Sequence, residues 1–215
     1  MGRASPLVAV VDYGAGNLRS VAKALERSGL RAAVCRDPAA LREADAIVLP
    51  GVGAFADARA SLRASGLDQA IIAAIEGGRP YLGLCLGLQL LFEESDEHGP
   101  TPGFGLLPGR IERFGDRDAQ GRVLRVPHIG WNRVRFQGSH PMLKGLPAED
   151  YFYFVHCYRA VPRDPTQVVG TTDYGGPFAA AVAKGAAFAV QFHPEKSQSS
   201  GRRLLDSFAD WITSC

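Results

Sequence analysis

The first 90 residues alternate short apolar runs with helical patterns, and this alternation limits the folds open to the chain. The run Leu7–Val11 predicts a buried strand, and a helical pattern that ends at Gly29 follows it. The same order recurs, with further strands expected at 32–35, 46–49 and 80–84 and further helices at 38–44 and 67–76. Such alternation predicts a parallel sheet covered by helices on both faces.

The second half of the chain has a different pattern. The segments GRIERF, RVLRVPHIGWNRVRF, YFYFVHCYRAV and VVGTTDY are strand-like, and AAAVAKGAAFAVQF predicts two strands joined at Lys184-Gly185. A last helix is expected from about Gly201 to Thr213, with Leu204, Leu205, Phe208 and Trp211 on its buried side. We therefore expect one α/β domain over residues 1–215, with an open, mostly parallel sheet and antiparallel strands added in its second half.

Composition excludes several classes of function. The chain has 215 residues, 46% of them hydrophobic, and a net charge of +2, so it can form one sizeable core and offers no basic surface for nucleic acid. No apolar run approaches the length of a membrane span, and the first one is too short for a signal peptide, which predicts a cytoplasmic protein. Four arginines of the second half read as a solvated strand face: Arg122, Arg125, Arg133 and Arg135.

Cysteine and histidine spacing argues against a metal site or a disulfide framework. Cysteines 35, 85, 157 and 215 form no CxxC pair, and the five histidines lack ligand spacing. The turn Gly14-Ala15-Gly16 is not a dinucleotide fingerprint, because Arg19 stands where its third glycine would be. We expect no metal and no organic cofactor.

Cys85 lies between two glycines in the segment Gly83-Leu84-Cys85-Leu86-Gly87, at the end of a predicted strand. This is the form of a nucleophile elbow with cysteine in place of serine, in which small neighbours let the side chain project into a cleft. A helix starting behind the cysteine would favour a thiolate, and the Leu86 N–H would face an oxyanion. The alternative is a core cysteine with incidental glycines.

The segment QFHPE offers the general base that a thiol nucleophile needs. His193 and Glu195 are two residues apart, so in extended backbone both side chains face the same way. A carboxylate that accepts the Nδ1–H of His193 would leave Nε2 free to take the cysteine proton. The other histidines lack such a partner, and His128 and His156 read as strand residues.

A third glycine-rich segment, Pro50-Gly51-Val52-Gly53, ends a predicted central strand. Ligands of open α/β sheets bind at the carboxyl ends of strands. Gly51 and Gly53 free the backbone on both sides of Val52, whose N–H could then face an oxyanion. A plain turn explains the segment equally well.

Together, these segments resemble a known family. DYGAGNLRSV, PGVGAF, GLCLGLQLL, VPHIGWN, YFVHCY and QFHPEKS look like the class I glutamine amidotransferases, and within them the HisH-type glutaminase subunits of imidazole glycerol phosphate synthases. The resemblance runs from about Asp12 to Ser197 in the expected order. It implies a flavodoxin-like α/β fold and hydrolysis of glutamine through a cysteine thioester, without a cofactor.

The resemblance also assigns roles. Cys85 would be the nucleophile, His193 the base and later the acid, and Glu195 the orienting carboxylate. The N–H groups of Leu86 and Val52 would form the oxyanion hole, with Gly51 and Gly53 allowing the Val52 peptide to turn. The implied glutamine pocket contains Gln89, Glu97, His156, Cys157 and Tyr158, with Glu97 as a buried carboxylate that faces the substrate ammonium. Cys157 departs from the family, whose members usually carry Ser or Thr there.

A partner is implied as well. Members of this family pass ammonia to a cyclase subunit with a (β/α)₈ barrel in a heterodimer, and the candidate interface residues are Asn17, Arg19, Trp131, Tyr153 and Lys196. Two alternatives stay open: another triad amidotransferase, such as the glutaminase of pyridoxal phosphate synthase, and a catalytically silent binding subunit. VPHIGWN and DYGAGN speak against the first, and the complete set of triad residues speaks against the second.

Overall fold

The computed structural model describes residues 5–214, so Cys215 and the first four residues lie outside the described part. Five parallel strands form one half of a single mixed sheet, in the order β2-β1-β3-β4-β13. Their bounds are Leu7–Val11 (β1), Arg31–Cys35 (β2), Ala46–Gly51 (β3), Tyr81–Cys85 (β4) and Ala187–Val190 (β13). The α/β class expected from the sequence is confirmed.

Helices cover both faces of this parallel half. They are α1 (Leu18–Arg27), α2 (Pro38–Glu43), α3 (Phe55–Ala64), α4 (Leu67–Glu76), α5 (Leu86–Gln89) and α6 (Gln198–Ser214). Strand β1 shows how the sheet separates two cores: Val8 and Val10 pack with α1 and α6, while Ala9 and Val11 pack with α2, α3 and α4. Side chains alternate between the faces of a strand, so a continuously apolar run is what a sheet covered on both sides requires.

The second half extends the sheet with mostly antiparallel pairings. Beyond β13 the order continues β12-β10-β7-β5-β6, and β11, β8 and β9 branch from β12. The bounds are Phe92–Ser95 (β5), Thr101–Pro102 (β6), Leu107–Arg113 (β7), His128–Phe136 (β8), Glu149–His156 (β9), Tyr158–Pro162 (β10), Val168–Asp173 (β11) and Pro177–Lys184 (β12). Strands β12 and β13 form the hairpin expected at Lys184-Gly185.

Two local expectations were wrong, and the helix expected behind Cys85 is present but short. Helix α3 was missed, because its buried positions Phe55, Ala58 and Leu62 are embedded in an otherwise polar and alanine-rich segment. Residues 122–127 lie outside the strands, so of the four arginines only Arg133 and Arg135 lie on a strand, exposed on β8 beside Glu149. The helix behind Cys85 is a single turn, Leu86–Gln89, because the chain re-enters the sheet at β5.

The carboxyl ends of the parallel strands meet at one edge, where Gly51 at the end of β3 pairs with Cys85 at the end of β4. The segment 191–195 leaves β13 at the same edge. Parallel pairing therefore brings together three segments that are far apart in the sequence. Of the helices in the described range, none has the length and apolar character needed to cross a membrane.

Candidate active site

Cys85 occupies a strained turn between β4 and α5. Its backbone has φ 53° and ψ −102°, outside the regions that L-residues normally adopt. Such a conformation costs about 1–3 kcal/mol and persists only where the surroundings enforce it. The turn directs the Cys85 side chain into a cleft, although the residue is only 8% exposed.

The glycines on either side of Cys85 are required by close backbone approach. A Cβ on Gly83 would lie 2.6 Å from the carbonyl oxygen of Gly87, and a Cβ on Gly87 would overlap the carbonyl oxygen of Leu49 in β3. The single turn α5 therefore folds directly back onto the sheet. These close approaches of the backbone leave no room for a side chain at position 83 or 87, which is a more specific reason for glycine than the elbow pattern alone.

His193 and Glu195 follow β13 at the same edge of the sheet as Cys85. The Nδ1–H of His193 donates to Glu195 Oε1 over 2.9 Å, and both side chains are almost fully buried. The backbone N–H of His193 donates to the carbonyl of Tyr153 in β9, and the Ser197 hydroxyl donates to the carbonyl of His193. The ring is thus fixed through both its backbone and its Nδ1 atom.

The electrostatics pair His193 with Cys85. Burial alone would lower the pKa of His193, but its interactions with Cys85 and Glu195 outweigh burial and raise the pKa. Within the described chain, the buried Nε2 atom has no hydrogen-bond partner, so it remains available for proton exchange with the cysteine. With its pKa raised to about 10, His193 is protonated near neutral pH, so its ring has a proton to give at Nε2.

The cleft in front of Cys85 has a volume of 290 Å³ and contains the predicted glutamine-pocket residues. It is lined by Val52, Gly53, Cys85, Leu86, Gln89, Glu97, Val155, His156, Cys157 and Tyr158. Glu97 was expected to be buried but is half-buried. Its Oε2 accepts a hydrogen bond of 2.7 Å from the backbone N–H of Phe55 at the start of α3. One carboxylate oxygen of Glu97 thus holds a helix end, and the group still faces the cleft.

The segment Gly51–Gly53 passes over the start of α5. A Cβ on Gly51 would lie 2.5 Å from Cβ of Leu86 and 2.8 Å from the hydroxyl of Tyr13, while Gly53 has φ +100°. The Tyr13 hydroxyl is buried and makes no hydrogen bond of normal geometry within the described residues. Burial and the neighbouring Cys85 raise the pKa of Tyr13.

Three of the five candidate interface residues cluster beside the cleft. Trp131 and Tyr153 are directly paired across β8 and β9, with ring centroids 6.3 Å apart, and the Lys196 ammonium lies 5.8 Å from the Tyr153 ring. Asn17 and Arg19 are exposed at the start of α1, after the turn that places Gly16 beside Pro50. The structure therefore brings the first three together and puts the other two at the same sheet edge.

A larger groove of 560 Å³ lies elsewhere and does not compete as the site. It is lined by residues such as Leu30, Asp45 and Ile212, near the amino ends of the parallel strands. Among the residues that the structure describes, its lining contains no histidine and no cysteine, so these residues offer no pair of nucleophile and base.

Sequence reasoning missed two residues at the site. Gln191 is fully buried and donates to the Cys85 sulfur, and the Tyr13 hydroxyl lies beneath Gly51. Gln191 directly precedes Phe192-His193 in a segment already singled out, so its proximity to His193 was the available signal. For Tyr13 the sequence contained no signal beyond its place after a strand.

Comparisons with known proteins show the family of the chain. The family described as glutamine amidotransferase class-I matches residues 9–210. The chain is 50% identical over 205 residues to the imidazole glycerol phosphate synthase subunit HisH of Syntrophotalea carbinolica, covering 95% of this chain and 100% of that protein. The subunit HisH of Methylococcus capsulatus is 53% identical over 209 residues, covering 95% and 96%. A chain of PurLQS from Thermotoga maritima shares the fold, with a TM-score of 0.75, 22% identity and coverage of 97% and 99%.

Proposed function

The chain belongs to the class I glutamine amidotransferase family, and we propose that it hydrolyses glutamine with Cys85 as the nucleophile, His193 as the base and Glu195 as the orienting carboxylate. The observation that carries these roles is the strained Cys85 turn beside a His193 whose Nδ1 is bound to Glu195 and whose Nε2 is unpaired. A thiol nucleophile, a base and a group that orients the base are the parts that acyl transfer requires.

The first half-reaction forms a thioester. The Cys85 thiolate attacks the side-chain carboxamide carbon of glutamine, and the carbonyl oxygen becomes an oxyanion. The protonated His193 gives its proton to the leaving nitrogen, so ammonia departs and a γ-glutamyl thioester remains on Cys85. In the second half-reaction His193 removes a proton from water, which attacks the thioester and releases glutamate and the thiolate.

The oxyanion needs donors on the side of the cleft opposite His193. Leu86 is the first residue of α5, and the first N–H groups of a helix have no acceptor within it, so its N–H is available. The Val52 N–H is the second proposed donor. Gly53 has φ +100° and Gly51 also lacks a Cβ, so the backbone on both sides of Val52 has the freedom to turn this N–H toward the oxyanion.

The other cleft residues bind the amino-acid part of glutamine. Gln89, Glu97, His156, Cys157 and Tyr158 line one wall, and the second oxygen of Glu97 suits the α-ammonium group. The thiol of Cys157 is a weaker hydrogen-bond donor than the hydroxyl usual at this position, so this wall contributes less polar contact.

Ammonia passes from this subunit to a cyclase subunit, with which it forms the heterodimeric imidazole glycerol phosphate synthase of histidine biosynthesis. Two relatives that are 50% and 53% identical carry the name of that synthase's HisH subunit, and each alignment covers 95% of this chain. The surface beside the cleft suits a docked partner, since Trp131, Val52 and Ile129 are all exposed there.

We also place the protein in the cytoplasm and treat residues 1–215 as one domain. The described cysteines Cys35, Cys85 and Cys157 are free thiols, and the proposed chemistry needs a reduced Cys85, which the cytosol maintains. One sheet includes every strand of the described range, and the family match spans residues 9–210, which supports a single domain.

The test is glutamate release from glutamine by the chain alone, with the cyclase subunit, and with the cyclase subunit plus its substrate. We expect the partner to stimulate glutamate release strongly and Cys85→Ala to abolish it. Circular dichroism should show that the fold of Cys85→Ala is intact. Activity without dependence on the partner would indicate another amidotransferase. No glutamate release in any condition would favour a silent subunit.

A further inference from the structure

The buried side chain of Gln191 forms hydrogen bonds that link Cys85 to Gln89, which lines the proposed glutamine pocket. Gln191 is 0% exposed, and its Nε2 lies 3.5 Å from the Cys85 sulfur, within hydrogen-bond range for sulfur. Its Oε1 lies 3.2 Å from Nε2 of Gln89, and the same Gln89 nitrogen lies 3.2 Å from the carbonyl oxygen of Tyr158. These contacts form a chain from Tyr158 through Gln89 and Gln191 to Cys85.

The donor and acceptor in each of these hydrogen bonds can be assigned from the chemistry of the groups. The carbonyl of Tyr158 can only accept a hydrogen bond, so the Gln89 atom facing it must be the nitrogen. The two hydrogens of that nitrogen are then directed to the Tyr158 carbonyl and to Gln191. The Gln191 atom facing Gln89 is therefore the oxygen, and the atom facing Cys85 is the NH₂ group. The assignment of both amides follows from one obligate acceptor.

From this arrangement we propose that Gln191 is a further catalytic residue, whose amide N–H donates to the Cys85 sulfur and stabilises the thiolate, and that Gln89 is the positioning residue that orients it. The inference rests on the proposed role of Cys85 as nucleophile. A hydrogen bond to an ionised acceptor is about twice as strong as one to a neutral acceptor, so this N–H favours the thiolate over the thiol. This hydrogen bond also restricts the position of the Cys85 sulfur.

The proposal separates the tasks of His193 and Gln191. His193 exchanges protons with the reacting groups, whereas an amide cannot, so Gln191 contributes in the same way at every stage in which sulfur carries charge. Since thioester formation removes the charge from sulfur and its hydrolysis restores it, the Gln191 N–H assists the departure of the thiolate from the thioester as well.

The experiment compares Gln191→Met with wild type. Methionine has nearly the volume of glutamine and no N–H donor. Alkylation of Cys85 by iodoacetamide is measured over a range of pH by mass spectrometry of the Cys85 peptide. In Gln191→Met we expect the pH of half-maximal alkylation to rise by about one unit, equivalent to roughly tenfold less thiolate at neutral pH. In the complex with the cyclase, kcat for glutamate release should fall about tenfold. The matched control Gln120→Met, which alters an exposed glutamine, should leave both curves unchanged.

A second measurement does not depend on a buried substitution. In the wild-type chain, the side-chain ¹⁵N resonance of Gln191 should titrate in step with alkylation of Cys85, and this titration should vanish in Cys85→Ala. An unshifted alkylation curve in Gln191→Met, or a Gln191 resonance that does not titrate, would overturn the inference. Glutamate release that persisted in Cys85→Ala would instead overturn the proposed function.

Discussion

At the scale of single residues, the site depends on a few groups held in conformations they would not adopt alone. Cys85 has a positive φ, which β4 and the backbone contact between Gly83 and Gly87 enforce. His193 is buried yet has a raised pKa, because its interactions with Cys85 and Glu195 outweigh the effect of burial. The backbone conformation of Cys85 and the raised pKa of His193 both depend on the folded structure around them.

The carboxylate of Glu195 can be tested by a change of one atom. Glu195→Gln keeps the shape but removes the charge that helps to raise the pKa of His193, so the ionisation of His193 should move to lower pH. We expect kcat for glutamate release in the complex to fall by about 10²- to 10⁴-fold, since the imidazolium loses its stabilising partner.

The measurement is the pH profile of kcat, with Glu94→Gln as the control. Glu94 is exposed on β5 and undergoes the same chemical change. An unaltered profile in Glu195→Gln would contradict the role given to Glu195.

At the scale of elements, helix α6 supports the segment that carries the base. A Cβ on Gly201 would overlap the carbonyl oxygen of Pro194, the residue between His193 and Glu195. Gly201 is the point at which α6 lies directly against this turn, and its N–H donates to the carbonyl of Ser197. The position of His193 therefore depends on a contact with α6 that the sequence pattern of this helix did not indicate.

Gly201→Ala should destabilise the protein, although glycine to alanine within a helix normally stabilises it by about 1 kcal/mol. The obstacle is backbone and cannot rotate away, so we expect a loss of about 1–3 kcal/mol in the free energy of unfolding and reduced glutaminase activity. Urea denaturation measures the first. Ser199→Ala, at an exposed position of the same helix, serves as control, and equal stability of the two variants would refute the argument.

Strands β8 and β9 bury a pair of histidines in register with each other. His128 pairs with His156, and His128 Nδ1 lies 3.0 Å from His156 Nε2. His156 Nδ1 faces the carbonyl of Tyr158, so it carries a proton, and His128 Nδ1–H must then donate to His156 Nε2. Burial lowers the pKa of His128 to about 4 and of His156 to about 3, so both rings are neutral near pH 7.

This pair predicts a loss of stability in acid. Between pH 6.5 and about 4 the unfolded chain binds protons on both histidines while the folded chain does not, so stability falls as the pH is lowered. Each histidine contributes up to about 1.4 kcal/mol per pH unit. His128→Gln should make the dependence shallower by up to that amount. Urea denaturation at several pH values measures both slopes, and equal slopes would show that His128 is charged in the folded state.

At the scale of the whole molecule, one sheet edge combines chemistry and docking. The cleft opens beside the paired aromatic side chains of β8 and β9, where Trp131 is 47% and Ile129 is 59% exposed. An exposed group of large apolar side chains next to a reactive thiol suits a partner that covers the site. The backbone of Tyr153 in this group accepts the N–H of His193, so the docking face and the base share a strand contact.

Trp131→Ala should weaken binding of the cyclase subunit by at least about tenfold, because a large exposed aromatic at the centre of an interface contributes disproportionately to affinity. Alkylation of Cys85 in the isolated chain should not change. Titration calorimetry measures the affinity, with Val123→Ala as the control, since Val123 is 74% exposed and lies in the loop between β7 and β8. An unchanged affinity would remove Trp131 from the interface.

Local features could be predicted from short stretches of the sequence. Apolar runs, glycines and caps predicted nearly all strands and helices of the parallel half, and the elbow at Cys85 and the spacing of His193 and Glu195 pointed to the groups that we propose as catalytic. Local chemistry sufficed here, because periodicity and turn residues act over a few positions. The contacts between distant groups became visible only in the folded structure: Gln191 at the sulfur of Cys85, Tyr13 beneath Gly51, and Gly201 against Pro194. These contacts join residues from different elements, and they follow from strand order and helix packing, which no short stretch of sequence encodes.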